Sequence, residues 1–139
     1  MKKIAGISII VLALVIAIAP MFLDCQSQGR SLTTSTGMSV PMKCHWTGIA
    51  MLGAGAPLAV VGGSMFTSKR KQTWRVLSIL GMVLGAVVIL MPTALIGVCA
   101  NPDMLCNMIM RPLLILGGSL IVALSLFMLV VNERERESA

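Results

Sequence analysis

Four long apolar runs, separated by short polar breaks, dominate the pattern of this chain. Ile4–Leu23 carries no charge and is mostly Ile, Val, Ala and Leu. Residues 46–68 are uncharged and rich in Gly and Ala. Residues 76–99 are uncharged with one proline near the far end, and residues 112–132 are dense in Leu, Ile and Val. A helix needs about 20 apolar residues to cross a hydrocarbon core of about 30 Å, so each run is long enough. Lipid offers no partner to a bare N–H or C=O, so these runs predict helices. None shows the apolar–polar alternation of a barrel strand.

The breaks differ in character. Residues 24–45 form the one sizeable hydrophilic segment, and its Ser/Thr/Gly-rich middle, 27–40, is expected to be exposed and mobile. Residues 67–75 are short and basic, the signature of a tight hairpin between helices. Residues 100–111 contain the turn signal Asn101-Pro102-Asp103. The tail Glu133-Arg134-Glu135-Arg136-Glu137 alternates in sign and predicts an extension of the fourth helix into water. A weak internal repeat is also visible. Pro41-Met42-Lys43-Cys44 before the second run is echoed by Asp103-Met104-Leu105-Cys106 before the fourth. Two similar halves of this kind fit a two-fold arrangement about the membrane normal.

Composition turns this pattern into a class. The chain has 139 residues, 57% hydrophobic and only 12% charged, where soluble domains carry about 25% charge. That makes one integral membrane domain over residues 1–139 and excludes a disordered chain or a soluble enzyme domain. The fold class expected is all-α, a bundle of four transmembrane helices. The net charge of +6 is explained by placement. Lys2, Lys3, Lys69, Arg70, Lys71, Arg75, Arg134 and Arg136 fall on one side, and only Arg30, Lys43 and Arg111 on the other. This asymmetry predicts cytoplasmic N- and C-termini in a multi-pass cell-membrane protein. It accounts for Lys69-Arg70-Lys71 as well, so no nucleic-acid partner is expected. The first run also resembles a signal peptide, but it exceeds the usual apolar region of about 7–15 residues. Pro20 directly follows the cleavage-like Ala17-Ile18-Ala19, so retention as a helix is expected.

Cys25, Cys44, Cys99 and Cys106 all fall on the predicted outer side, where an oxidising compartment makes an even set read as disulfides. Three pairings are open. Closure within each hairpin, Cys25–Cys44 and Cys99–Cys106, is the simplest. Chain entropy then gives about 3 and about 2.5 kcal/mol respectively. Pairing across the hairpins would instead staple the two halves together. A sharper reading is thiol redox chemistry, because four spans with two outer cysteine pairs share the layout of quinone-linked membrane thiol oxidases. Reactive pairs commonly use Cys-x-x-Cys, and the gaps here are 18, 54 and 6 residues.

The remaining chemistry is sparse. Met38, Met42, Met104, Met108 and Met110 lie in the outer segments with Cys44 and His45, a soft-ligand set of the kind Cu(I) prefers. Against it, Met commonly fills irregular apolar gaps, and His45 beside Trp46 fits an interfacial helix end. No Asp, Glu, Lys, Arg or His lies within a span, which disfavours a transporter or pump acting alone. No catalytic residue, resident metal or cofactor is expected. Gly81 and Gly85, with Gly53 and Gly55, Gly62-Gly63 and Gly117-Gly118, allow close helix approach. That approach serves packing within the bundle or docking onto another membrane protein.

Met42-Lys43-Cys44-His45-Trp46-Thr47, Pro92, and Gly97-Val98-Cys99-Ala100-Asn101-Pro102-Asp103-Met104-Leu105-Cys106 together resemble a family of small four-span bacterial membrane proteins, domain of unknown function 4418. The likeness covers nearly the whole layout, and the family's four cysteine positions fall on Cys25, Cys44, Cys99 and Cys106. The family has no assigned activity. Its genes often neighbour those for ABC transporter ATPase and permease subunits of the macrolide-exporter type. The resemblance therefore implies an accessory or assembly subunit bound to the lipid bilayer and to another integral membrane protein, such as an ABC transporter permease. The alternatives are a quinone-linked thiol oxidoreductase and an outer-face copper-binding protein.

Overall fold

A computed structural model describes residues 2–24, 29, 31–68, 70–98, 101 and 103–137. The first apolar run folds as α1, Lys2–Leu23, and the second as α2, Lys43–Thr67. The third run forms α3, Lys71–Leu90, followed by a π-helical turn over Met91–Leu95. A second π turn, Cys106–Met110, leads into α4, Arg111–Glu137. Four segments are long and apolar enough to cross a membrane: Ile4–Leu23, Lys43–Thr67, Gln72–Leu95 and Cys106–Glu135. The all-α architecture and its four spans are as the apolar runs predict.

The boundaries differ where proline intervenes. The third run was expected to be helical to residue 99, yet α geometry stops at Leu90. Pro92 has no N–H to give the fourth preceding carbonyl. The chain widens instead: the N–H groups of Ile96 and Gly97 both reach Met91 O at 3.1 Å. Gly97 then takes φ +80°, the left-handed turn that ends a helix and that a side chain resists. Residues 106–110 were expected to be loop. They form the second π turn, closed by Arg111 N–H onto Cys106 O, immediately before Pro112. The break between α3 and α4 therefore both begins and ends earlier in the chain than the apolar runs imply.

The long first loop also carries more structure than expected. Leu32–Thr33 and Ser39–Val40 form two short antiparallel strands, β1 and β2, with Leu32 opposite Val40. Gly37 at φ +79° closes the turn, with its N–H on Thr34 O at 2.8 Å. The stretch is exposed but folded as a hairpin. At the opposite end, the break between α2 and α3 is tight. Trp74 is buried and its indole N–H donates to Ser68 O at 3.0 Å. The tail continues α4 to Glu137, and Arg75 pairs with Glu133 at 3.2 Å.

The bundle consists of two antiparallel helix pairs, α1 with α2 and α3 with α4. Each pair is built on a reciprocal glycine contact. A Cβ on Gly6 would meet Gly62 O at 3.2 Å, and one on Gly62 would meet Gly6 O at 3.2 Å. In the second pair, Gly85 faces Gly118 O at 3.2 Å and Gly118 faces Gly85 O at 3.0 Å. Gly55 receives Ala17, and the space beside Gly81 is filled by the Ser125 hydroxyl. The pairs meet through Ile16 against Gly117 and Val61 beside Gly81. Large apolar side chains such as Ile7, Val11, Leu116 and Leu120 point outward, as lipid-facing positions do in a multi-pass membrane protein.

Gly118→Ala would bring its Cβ within 2.6 Å of Ile89 Cγ1 as well as onto the Gly85 backbone. We expect a loss of about 1–3 kcal/mol, the usual cost of overpacking. Gly53 has nothing within 4 Å, so Gly53→Ala should change stability by no more than about 0.5 kcal/mol. Reversible unfolding in mixed micelles measures both. Equal effects would show that the glycine contacts do not set helix approach.

Candidate functional site at the cysteine end

The end of the bundle that carries the long loop gathers most of the chain's distinctive residues. Met42 precedes α2 in extended conformation, φ −72° and ψ 162°, and its carbonyl accepts the His45 N–H at 3.0 Å. Helical spacing then sorts the first turns. Cys44, Thr47, Gly48 and Met51 face inward and are buried, while Lys43 and Trp46 face outward.

His45, between these faces, is half-buried. Its Nδ1 lies 2.9 Å from Asp24 Oδ2, just past the end of α1. A carboxylate can only accept, so this geometry places the proton on Nδ1. The Trp46 ring stands edge-on to the imidazole, with centroids 6.3 Å apart. Asp24 is buried, so the pair ties the start of α2 to the end of α1. It also gives a structural occupation to the lone histidine.

Thr47 makes the corresponding tie between the two helix pairs. Its hydroxyl is fully buried and donates to Gly97 O at 2.8 Å, with Lys43 O more distant at 3.3 Å. Gly97 belongs to the segment released from helix by Pro92, so the proline and the threonine act together. The broken helix exposes a carbonyl, and α2 supplies the donor. In the sequence Thr47 stands only as one residue of the Met-x-Cys-His-Trp-Thr segment. Its one signal is a hydroxyl on the inward face of an apolar helix.

The expected site residues separate clearly. Cys25 and Cys99, and with them both within-hairpin pairings, lie outside the described residues. Cys44 and Cys106 are both fully buried in one apolar cluster and come into near contact with each other. No disulfide is found among the described residues. Of the methionines singled out, Met110 is buried in that cluster and Met42 and Met104 pack against it, whereas Met38 and Met108 are exposed. Met51 and Met91, from within the spans, join the same cluster. Among the described residues no group of three or more His, Cys, Asp or Glu side chains converges. Of the four glycines considered for docking, Gly55, Gly81 and Gly85 meet neighbours within the bundle, and Gly53 faces open space.

Comparison with known proteins gives one match. Residues 9–131 match the family described as Domain of unknown function (DUF4418). The chain belongs to the DUF4418 family. That span takes in both Met-x-Cys segments, the Asp24–His45 pair and Thr47, so all of this end is part of the DUF4418 domain. No curated protein and no solved structure matches the chain.

Thr47→Val keeps the shape of the side chain but leaves Gly97 O without its donor. We expect about 1–3 kcal/mol of destabilisation, the cost of an unsatisfied buried acceptor. Thr93, whose exposed hydroxyl bonds Ile89 O in its own helix at 2.8 Å, serves as comparison. Thr93→Val should stay within about 0.5 kcal/mol. Chemical unfolding in detergent compares the two.

Proposed function

We propose that this protein is a non-enzymatic accessory or assembly subunit of a larger membrane complex, with an ABC transporter permease as the partner. The observation that carries this reading is the outward face of α2. Along α1 and α4 the outward positions hold large apolar residues such as Ile7, Leu14, Leu116 and Leu120. On α2 the outward face also carries Ile49, Leu52, Val60 and Phe66, but between Leu52 and Val60 it narrows to a patch of small residues, Gly53, Ala56 and Pro57, and nothing lies within 4 Å of Gly53. Small residues let a second helix approach closely and have little to offer lipid. The apolar runs 4–23, 46–68, 76–99 and 112–132 carry no Asp, Glu, Lys, Arg or His for moving a solute or a proton. The family's gene neighbourhood with ABC transporter subunits points the same way.

In this reading both termini are cytoplasmic, following the Lys and Arg asymmetry, and the cysteine end faces outward. The outer cysteines act there as a structural join. Near contact of Cys44 with Cys106 favours a join between the two hairpins over closure within each one. The alternative of a membrane thiol oxidoreductase draws on the same pair. Exchange requires access to a partner thiol or disulfide, and both sulfurs are enclosed.

Purification in mild detergent from native membranes tests the role. The expected result is stoichiometric co-purification with a permease, lost in Gly53→Leu while the unfolding stability of the isolated subunit is unchanged. Repeated recovery of the lone protein, with Gly53→Leu indistinguishable from it, would contradict the proposal.

A further inference from the structure

We infer that the β1–β2 hairpin is a membrane-surface element, whose apolar face of Leu32, Met38 and Val40 lies among the lipid headgroups at the cysteine end. The inference rests on the four spans and is independent of the accessory role.

The two strands are antiparallel, with Leu32 opposite Val40 and Thr33 opposite Ser39. The Thr34 N–H donates to Met38 O at 2.9 Å and carries the same register on to the turn. Side chains alternate along extended chain, so Leu32, Met38 and Val40 share one face and Thr33 and Ser39 the other. The three apolar residues are 59%, 71% and 47% exposed, and β1 and β2 pack chiefly on each other. A lone two-stranded hairpin is marginal in water. Strand edges that face water are commonly guarded by charge, yet residues 31–42 include no charged side chain. An uncharged element with one apolar and one hydroxyl-bearing face, its apolar side left uncovered by the bundle, suits the boundary between hydrocarbon and water. The same physics holds amphipathic helices in that plane.

The fold sets this boundary beside the hairpin. α2 has 25 residues, about 37 Å of helix, against a hydrocarbon core of about 30 Å. Its first residues therefore stand in the headgroup layer, which is about 5–8 Å deep on each side. Lys43 and Trp46 are exposed there, a cation and an aromatic ring of the kind that mark this level. At the end of α1, Met21 and Phe22 are exposed as well, so lipid-facing surface continues to the point where the loop begins. Val40 precedes Lys43 by three positions, a reach of about 10 Å even at full extension. The hairpin is thus tethered at headgroup level, with the bilayer as the nearest apolar surroundings. Arg30 and Lys43 bracket it in sequence, and cations there are attracted to lipid phosphates.

The test uses the full chain in phosphatidylcholine vesicles that contain a phospholipid with a diazirine near the carbonyl end of one acyl chain. After irradiation, trypsin cuts after Arg30 and Lys43 release residues 31–43, and mass spectrometry locates the adducts. We expect adducts on Leu32, Met38 and Val40 in preference to Thr33 and Ser39. Leu32→Asp with Val40→Asp should lose them while the helical circular dichroism is unchanged, because both residues are exposed. The proposal is overturned if wild-type residues 31–43 carry no more adduct than a soluble marker protein added to the vesicles. It is equally overturned if both faces of the hairpin label alike. In native membranes, benzoylphenylalanine placed at position 38 should link to lipid on irradiation. A link to another protein or to a second copy of this chain would also overturn the proposal.

Discussion

Backbone-to-backbone contact at paired glycines is the constraint on which this structure rests. Within lipid there is no hydrophobic gain in joining two apolar helices, so association depends on how closely their surfaces fit. Gly6 against Gly62 and Gly85 against Gly118 let carbonyl oxygens sit where a Cβ would otherwise be. Each contact fixes the register of one antiparallel pair, and the register then determines which residues meet at the helix ends. Asp24 reaches His45 because α1 and α2 are held at that offset. Arg75 reaches Glu133 at the other end of α3 and α4 for the same reason.

The second constraint is the handling of broken backbone. Pro92 and Pro112 each remove a donor from an apolar helix, which in lipid leaves a carbonyl to satisfy. Beside each of these two the chain forms a π turn, one after α3 and one before α4, whereas Pro20 and Pro57 sit within continuous α1 and α2. These turns bring the ends of the second helix pair inward, so that Gly97 O meets Thr47 and Cys106 meets the cluster around Cys44. A polar tie and a sulfur-rich core thus lie side by side where the hairpins converge.

Much of this was legible in the chain. Four uncharged runs of spanning length admit little besides four helices, and the alternating tail declared its helical continuation to Glu137. The ends of the spans were not legible, because hydropathy marks where a segment is apolar and not where its hydrogen bonding changes. Pro92 is visible in the sequence, but the residues it releases are as apolar as the helix before them. Gly6 carries no signal of its contact because its partner, Gly62, is distant in sequence and no local motif links them. The cysteines show the same limit. Spacing along the chain leaves three cysteine pairings open, whereas the fold shows Cys106 in near contact with Cys44 from the other hairpin. The soft-ligand set was visible as a composition, and only packing separated Met42 and Met104 from the exposed Met38 and Met108.

The central claim is that the two hairpins converge at the cysteine end with Cys44 against Cys106. It is tested most directly in native membranes, with Cys25 and Cys99 replaced by serine. Protein from those membranes is denatured and alkylated without prior reduction, and its intact mass is measured. The account predicts an unalkylated chain containing an internal Cys44–Cys106 bond. Recovery of a doubly alkylated chain, or of a bond formed only between two copies, would contradict it.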